Sequence, residues 1–253
     1  MNVLRKLTSA VRKHGVLGIL RSIPNFAYWR FRYEADHARW DRRWGTETAQ
    51  SEQDYLKEIS DGVVRDAEWY EPIRWRWFRP ILRDTAIDPH EYSFVDLGSG
   101  KGRALFFAAS QGFHRVIGVE FSAMLHAVAL QNVVSFSARE PAATLVELVH
   151  GDATSVEFPA GPTVIFLNNP FRGEVMARVV ERIAEHAAGT QSPTLVVYKQ
   201  PACRSLFEEH PAFELLVDRP GNGRSFLGRE PYIILRVRSR ARGESGAGRS
   251  RSL

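Results

Sequence analysis

The stretch Tyr92-Ser93-Phe94-Val95-Asp96-Leu97-Gly98-Ser99-Gly100-Lys101-Gly102-Arg103 decides the fold. Its first half is apolar and β-forming, and it closes on an acid and a leucine before breaking into glycines. The residues behind it, 104–111, have helical length and apolar spacing. A buried strand, a tight loop and a helix in this order form the opening unit of an α/β domain, and glycines without Cβ atoms let a ligand approach the loop backbone closely.

Outward from that unit the same alternation repeats. β-rich runs are expected at 92–97, 115–120, 145–150, 162–167 and 194–199, and helices at 104–111, 122–136, 174–188 and 204–210. Strands separated by helices specify a parallel sheet covered on both faces. The last two runs, 213–218 and 232–238, are joined through Pro220-Gly221-Asn222-Gly223, which leaves no room for a crossover helix, so they are expected to pair antiparallel.

In such a sheet, ligands bind beyond the carboxyl ends of the strands. Asp96 stands near the end of the first run, Glu120 closes the second, Asp152 follows the third within Gly151-Asp152-Ala153, and Asn168-Asn169 follow the fourth. Polar residues scattered without purpose would not all fall on one rim. Two ligand classes are excluded at the glycine loop itself. A dinucleotide loop needs a third small residue where Arg103 stands, and a P-loop needs Ser or Thr after the lysine and a glycine where Val95 stands.

Gly98-x-Gly100-x-Gly102 after Val95-Asp96-Leu97 resembles motif I of the class I S-adenosylmethionine-dependent methyltransferases, of the small bacterial type with an Asn-Pro-Phe motif. Glu120, Gly151-Asp152-Ala153 and Phe166-Leu167-Asn168-Asn169-Pro170-Phe171 continue the match in order. The resemblance covers about residues 69 to 238. It implies a Rossmann-like doubly wound seven-stranded sheet of order 3-2-1-4-5-7-6, with the last strand antiparallel, and S-adenosyl-L-methionine as cofactor. On this resemblance Asp96, Gly98, Ser99, Gly100 and Gly102 border the methionyl part, and Glu120 takes the ribose hydroxyls. Asp152 and Ala153 take the adenine, and Asn168 closes the site. Lys101 and Arg103 fit a loop around a sulfonium poorly and are expected to point to solvent.

Methyl transfer is a displacement at an already activated carbon, so alignment and exclusion of water matter more than a nucleophile. Asn168-Asn169-Pro170-Phe171 is similar to the Asn/Asp-Pro-Pro-Tyr/Phe motif of amino-methylating enzymes, which implies a nitrogen acceptor on a protein (lysine-type) or small molecule. Asn169 replaces the motif's first proline, a departure that weakens nucleobase methylation as a reading. Trp69-Tyr70-Glu71-Pro72 resembles the Tyr-x-Pro element of seven-strand protein-lysine methyltransferases, and Tyr70 either covers the cofactor or packs before the first strand.

The rest of the chain sets the context. A length of 253 residues at 44% hydrophobic suits one large domain. We expect a basic helical N-terminal extension or lid at 1–68, the methyltransferase domain at 69–238 and a disordered basic tail at 239–253. One cysteine, Cys203, excludes an internal disulfide and points to a reduced cytoplasmic protein, and histidines without ligand spacing give no metal site. No run is long enough to span a membrane, but residues 1–22 have the spacing of an amphipathic helix suited to packing on the domain itself or, as the alternative, to peripheral membrane contact. The arginines at 30, 32, 39, 42 and 43 alternate with Trp29, Phe31, Trp40 and Trp44. That pattern fits arginine stems lying over packed aromatics, or, as the alternative, a basic nucleic-acid-binding module or nucleic-acid methyltransferase on the same scaffold.

Overall fold

A computed structural model describes residues 35–49, 72–221 and 230–239. Helix α1 covers 35–44, and α2 is Trp75–Thr85. The core then alternates as read: β1 Ser93–Leu97, α3 Arg103–Ser110, β2 Arg115–Glu120, α4 Ala123–Arg139, β3 Val146–His150, β4 Thr163–Asn168, α5 Gly173–Ala188, β5 Thr194–Lys199, α6 Arg204–Glu208, β6 Phe213–Arg219 and β7 Tyr232–Val237. The sheet order is β3-β2-β1-β4-β5-β7-β6, the order implied above. β1 to β5 run parallel, and β7 lies antiparallel between β5 and β6.

Alternation along the central strands builds two cores. Val95, Leu97, Ile165, Leu167, Val196 and Tyr198 face α5 and α6. Phe94, Val116, Val164, Phe166, Leu195 and Val197 face the helices that precede and follow β1. Fully buried strands need apolar residues on both faces, which is why these runs are continuous rather than alternating in sequence. The second core is aromatic: Phe78 of α2 lies 5.9 Å from Phe94 and 5.5 Å from Phe107 between ring centroids.

Helix α1 belongs to that core. Trp44 is 7% exposed and lies 5.2 Å from Phe136, while Trp40 meets Phe107 edge-on at 4.5 Å. The Arg43 guanidinium lies 4.8 Å over the Trp44 ring. Arg43 thus lies over a packed aromatic, and the Trp44 ring is taken up by the core. Trp29, Phe31, the membrane-suited residues 1–22, Tyr70, the turn beyond Gly221 and the tail beyond Ser239 lie outside the described residues.

The stretch from Thr46 is polar in sequence, yet its first residues are packed. Thr48 is fully buried and Thr46 nearly so. Buried polar groups need partners, and Asp41 supplies them. Its Oδ1 accepts from the Thr46 hydroxyl (2.8 Å), the Thr48 amide (3.1 Å) and the Thr48 hydroxyl (2.6 Å), and its Oδ2 accepts from the Ala49 amide (3.1 Å). Residues 46–49 thus form a strap held against the end of α1. No helix among the described residues is long and apolar enough to cross a membrane.

Candidate active site

The glycine loop leaves β1 through three left-handed glycines, Gly98 (φ 82°), Gly100 (φ 54°) and Gly102 (φ 91°). At Gly98 a side chain is excluded twice, by its φ and by Pro170, whose Cβ would lie 2.5 Å from an added Cβ. The close approach brings the Asn168–Phe171 turn onto the glycine loop, so two separate sequence motifs become one wall.

Glu120 organises that wall from the end of β2. One carboxylate oxygen accepts from the Gly100 amide at 2.7 Å and the other from the Ser122 amide at 2.9 Å, and the side chain is nearly inaccessible. Its carbonyl accepts from the Gly151 amide at 3.0 Å, tying in the loop after β3. There Asp152 is exposed and its Oδ1 accepts from Thr154 N at 2.8 Å, while Ala153 is buried behind it. Asp96 lies inside the same loop at 3% exposure. Burial, and then the neighbouring charge of Glu120, pushes its carboxyl well above the usual carboxylate range. Its Oδ1 and the Ser99 hydroxyl, both buried, have no hydrogen-bond partner among the described residues.

Lys101 and Arg103 do not point to solvent. They are 1% and 3% exposed and turn away from the acids toward the strap. Lys101 Nζ donates to Glu47 Oε1 at 2.9 Å and to the Ala49 carbonyl at 3.2 Å. Arg103 donates to the Thr48 hydroxyl at 2.6 Å and to Asp41 Oδ1 at 3.2 Å, and also contacts His37 Nδ1. Asn132 of α4 fastens the strap's other side, accepting from the Glu47 amide at 2.6 Å and donating to the Glu47 and Lys101 carbonyls at 3.0 Å. Burial, followed by the charges of Arg103, Arg74 and Arg76, lowers the pKa of His37 to about 3, so it stays neutral. The inner surface of the loop is therefore acidic and its outer surface basic.

At the β4 end the expected amine cradle takes a different form. Asn168 Oδ1 accepts from Lys199 Nζ at 2.9 Å, and Asn169 Oδ1 accepts from the Tyr198 hydroxyl at 3.3 Å. Phe171 is 6% exposed and sits in the α5-side core. Asn169 has φ 49°, in the left-handed region. Sequence reasoning missed Lys199, which ends the fully buried strand β5 and pairs in register with Asn168. Its signal was the one charged residue in an otherwise uncharged strand, at the position facing the rim. Asp41, Glu47 and Asn132 were missed as well, and nothing local marks them.

Among the described residues no group of acids, histidines and cysteine could hold a metal ion. Residues 95–169 match the family model described as "Methyltransferase domain". No curated protein sequence matches the chain. Among solved structures it is similar to a precorrin-6y C5,15-methyltransferase from Geobacter metallireducens GS-15, with 16% identity, 68% of this chain and 94% of that one covered, and a TM-score of 0.47. An RNA methyltransferase from Salinibacter ruber in complex with S-adenosyl-L-homocysteine gives 16% identity, 66% and 94% coverage and a TM-score of 0.45. A putative methyltransferase from Escherichia coli gives 15%, 67%, 89% and 0.48. Scores below 0.5 carry no weight beside the matched segment and the strand order. The matched segment is a methyltransferase domain, and it lies on a sheet with the strand order that the resemblance to the class I S-adenosylmethionine-dependent methyltransferases implied, which supports S-adenosyl-L-methionine as the cofactor.

Proposed function

We propose that the rim beyond β1, β2, β3 and β4 holds S-adenosyl-L-methionine and that the chain transfers its methyl group to a small-molecule acceptor entering past Asn168. One observation carries the cofactor part. Asp96 and Glu120 are buried together behind the glycine loop, while Lys101 and Arg103 face the other way onto acids of the strap and α1. Two buried acids favour a cationic ligand and disfavour phosphates. The cofactor's ammonium and sulfonium meet that requirement.

In this reading Asp96, with its unpartnered Oδ1, receives the cofactor's ammonium, and Ser99 supplies a hydroxyl beside it. Gly98, Gly100 and Gly102 allow close backbone approach. Glu120 is held by the Gly100 and Ser122 amides and, as a carboxylate with two acceptor oxygens, takes the ribose hydroxyls. Asp152, exposed after β3, takes the adenine amine, with Ala153 as the apolar floor. The bound cofactor supplies an electrophilic methyl carbon; the protein's part is to align the acceptor and exclude water. Asn168, Asn169, Pro170 and Phe171 form the wall between cofactor and acceptor, with Pro170 locked over Gly98. Residues 1–68 serve as an extension over the domain at 69–238, of which α1 and the strap at 46–49 are the described part.

The nitrogen acceptor implied by the sequence is less well supported. Both asparagine oxygens already accept from Lys199 and Tyr198, and the Phe171 ring is buried rather than presented to a ligand. A small acceptor is favoured over a lysine side chain or a nucleobase amine. The test is to incubate the purified chain with methyl-labelled cofactor and cell extract, then fractionate. Label in the small-molecule fraction is the expected result, and label confined to protein or nucleic acid overturns the acceptor reading.

A further inference from the structure

The carboxyl rim continues past Asn168 into a second constellation. β5 ends at Lys199, whose register partners are Asn168 of β4 and Tyr232 of β7, and Tyr232 in turn faces Arg219 of β6. The chain turns left-handed just beyond both strand ends, at Asn169 (φ 49°) and Gln200 (φ 51°). A left-handed residue other than glycine costs about 1 kcal/mol or more and persists where its surroundings enforce it. Here the enforced turns flank a buried ammonium.

Lys199 is 1% exposed. Its Nζ donates to Asn168 Oδ1 at 2.9 Å and is paired with Glu230 Oε2 at 2.6 Å. An ammonium has three protons; among the described residues one is donated to Asn168, while Glu230 Oε2 is paired by charge and accepts no hydrogen bond. Beside the ammonium lies a cavity of about 320 Å³ lined by the apolar Trp77, Pro80 and Ile81 of α2 and by charged groups from the end of α2 and from the strand ends. Asp84 in that wall is already engaged: its Oδ2 accepts from Arg219 at 2.7 Å and from the Tyr232 hydroxyl at 2.8 Å. Burial tends to raise the Asp84 carboxyl, but those two hydrogen bonds outweigh it and hold the carboxyl low. The lining thus carries three cations against two acids: Asp84 pairs with both Arg219 and, at 3.7 Å, Arg83, and Glu230 pairs with Lys199, which leaves one net positive charge.

We propose that this cavity is the acceptor site and that it takes a small carboxylic acid with an apolar body, whose carboxylate is bound by Lys199 and methylated on oxygen. The proposal rests on the reading of the neighbouring rim as the cofactor site. The volume is near the lower end of ligand pockets, roughly 300–1,000 Å³, and suits a single ring or a short chain rather than a macromolecule. Trp77, Pro80 and Ile81 cover the apolar body. A cationic amine would instead meet Lys199, Arg219 and Arg83. Charge and atoms balance without a base. One carboxylate oxygen forms the bond to the methyl carbon as the carbon–sulfur bond breaks, and that bond's electron pair stays on sulfur. An anion and a sulfonium become a neutral ester and a neutral thioether, and no proton moves.

The test is ligand-observed NMR on the full chain saturated with S-adenosyl-L-homocysteine, using benzoate and benzylamine as probes. Benzoate is expected to give saturation transfer and benzylamine none. Lys199→Met should weaken benzoate at least tenfold while homocysteine-product binding persists, and Arg219→Gln should weaken it a few-fold. Equal signals from both probes, or benzoate binding that survives Lys199→Met, overturn the proposal. If Lys199→Met fails to fold, Arg219→Gln, at a half-exposed position, decides: unchanged benzoate affinity overturns it. Wild-type chain that binds no S-adenosyl-L-homocysteine breaks the underlying cofactor reading instead, and with it this site. A second readout is chemical, because carboxyl methyl esters release methanol in mild alkali and N-methyl groups do not. Base-stable label in the small-molecule product rules out the oxygen assignment.

Discussion

Lys101 and Lys199 are buried to the same degree at two points of one sheet rim, and they differ in what they face. Lys101, in the glycine loop, turns outward to Glu47 and the strap, leaving the loop's interior to Asp96 and Glu120. Lys199, at the end of β5, keeps its charge on the rim beside Asn168 and a cavity. The half proposed for the cofactor is acidic inside, and the half proposed for the acceptor is cationic. A buried lysine in a ligand-binding loop therefore says little about the ligand's charge until the direction of its side chain is known.

Removing the outward anchoring should give the largest effect. Arg103→Met strips Asp41, Thr48 and His37 of a shared partner and leaves a nearly buried carboxylate uncompensated, at about 3–5 kcal/mol. Urea unfolding measures it, and a loss under about 1 kcal/mol would mean the strap is not held this way.

Acid should loosen the same half. His37 has a folded pKa of about 3 against 6.5 unfolded, so the unfolded chain binds the proton first. The stability it contributes is complete above pH 6.5 and is lost as the pH falls toward 3. By pH 5 the loss is about 2 kcal/mol. His37→Phe should flatten that dependence, and an equal loss in the variant would assign it to another group.

The acceptor half should respond more weakly. Tyr232→Phe removes one hydrogen bond to Asp84, which keeps Arg219, at about 1–2 kcal/mol. Cofactor affinity should stay unchanged, since Tyr232 lies on the other half of the rim; a parallel fall in cofactor affinity would show the two halves are not separate.

The two halves were unequally legible in the sequence. Strand–helix alternation is a local signal, and β2 and β5 fall where the runs at 115–120 and 194–199 placed them. Glu120 and Asp152 also lie at the strand ends expected of them. The directions of Lys101 and Arg103 depend on partners 52 to 66 residues earlier in the chain, with no motif to mark them. Asn168 was read as an amine acceptor from its neighbours in sequence, whereas its oxygen is taken by Lys199, 31 residues later. Pairing across the sheet, not the motif, sets that contact.

The acidic interior of the glycine loop is tested most directly by calorimetric titration of S-adenosyl-L-methionine into the wild-type chain, Glu120→Ala and Asp96→Asn. Each substitution should weaken binding at least about tenfold, or 1.4 kcal/mol, while the melting temperature of the unliganded Asp96→Asn chain rises because a buried, unpartnered carboxyl has been removed. Unchanged affinity in both variants would contradict the assignment of this loop to the cofactor.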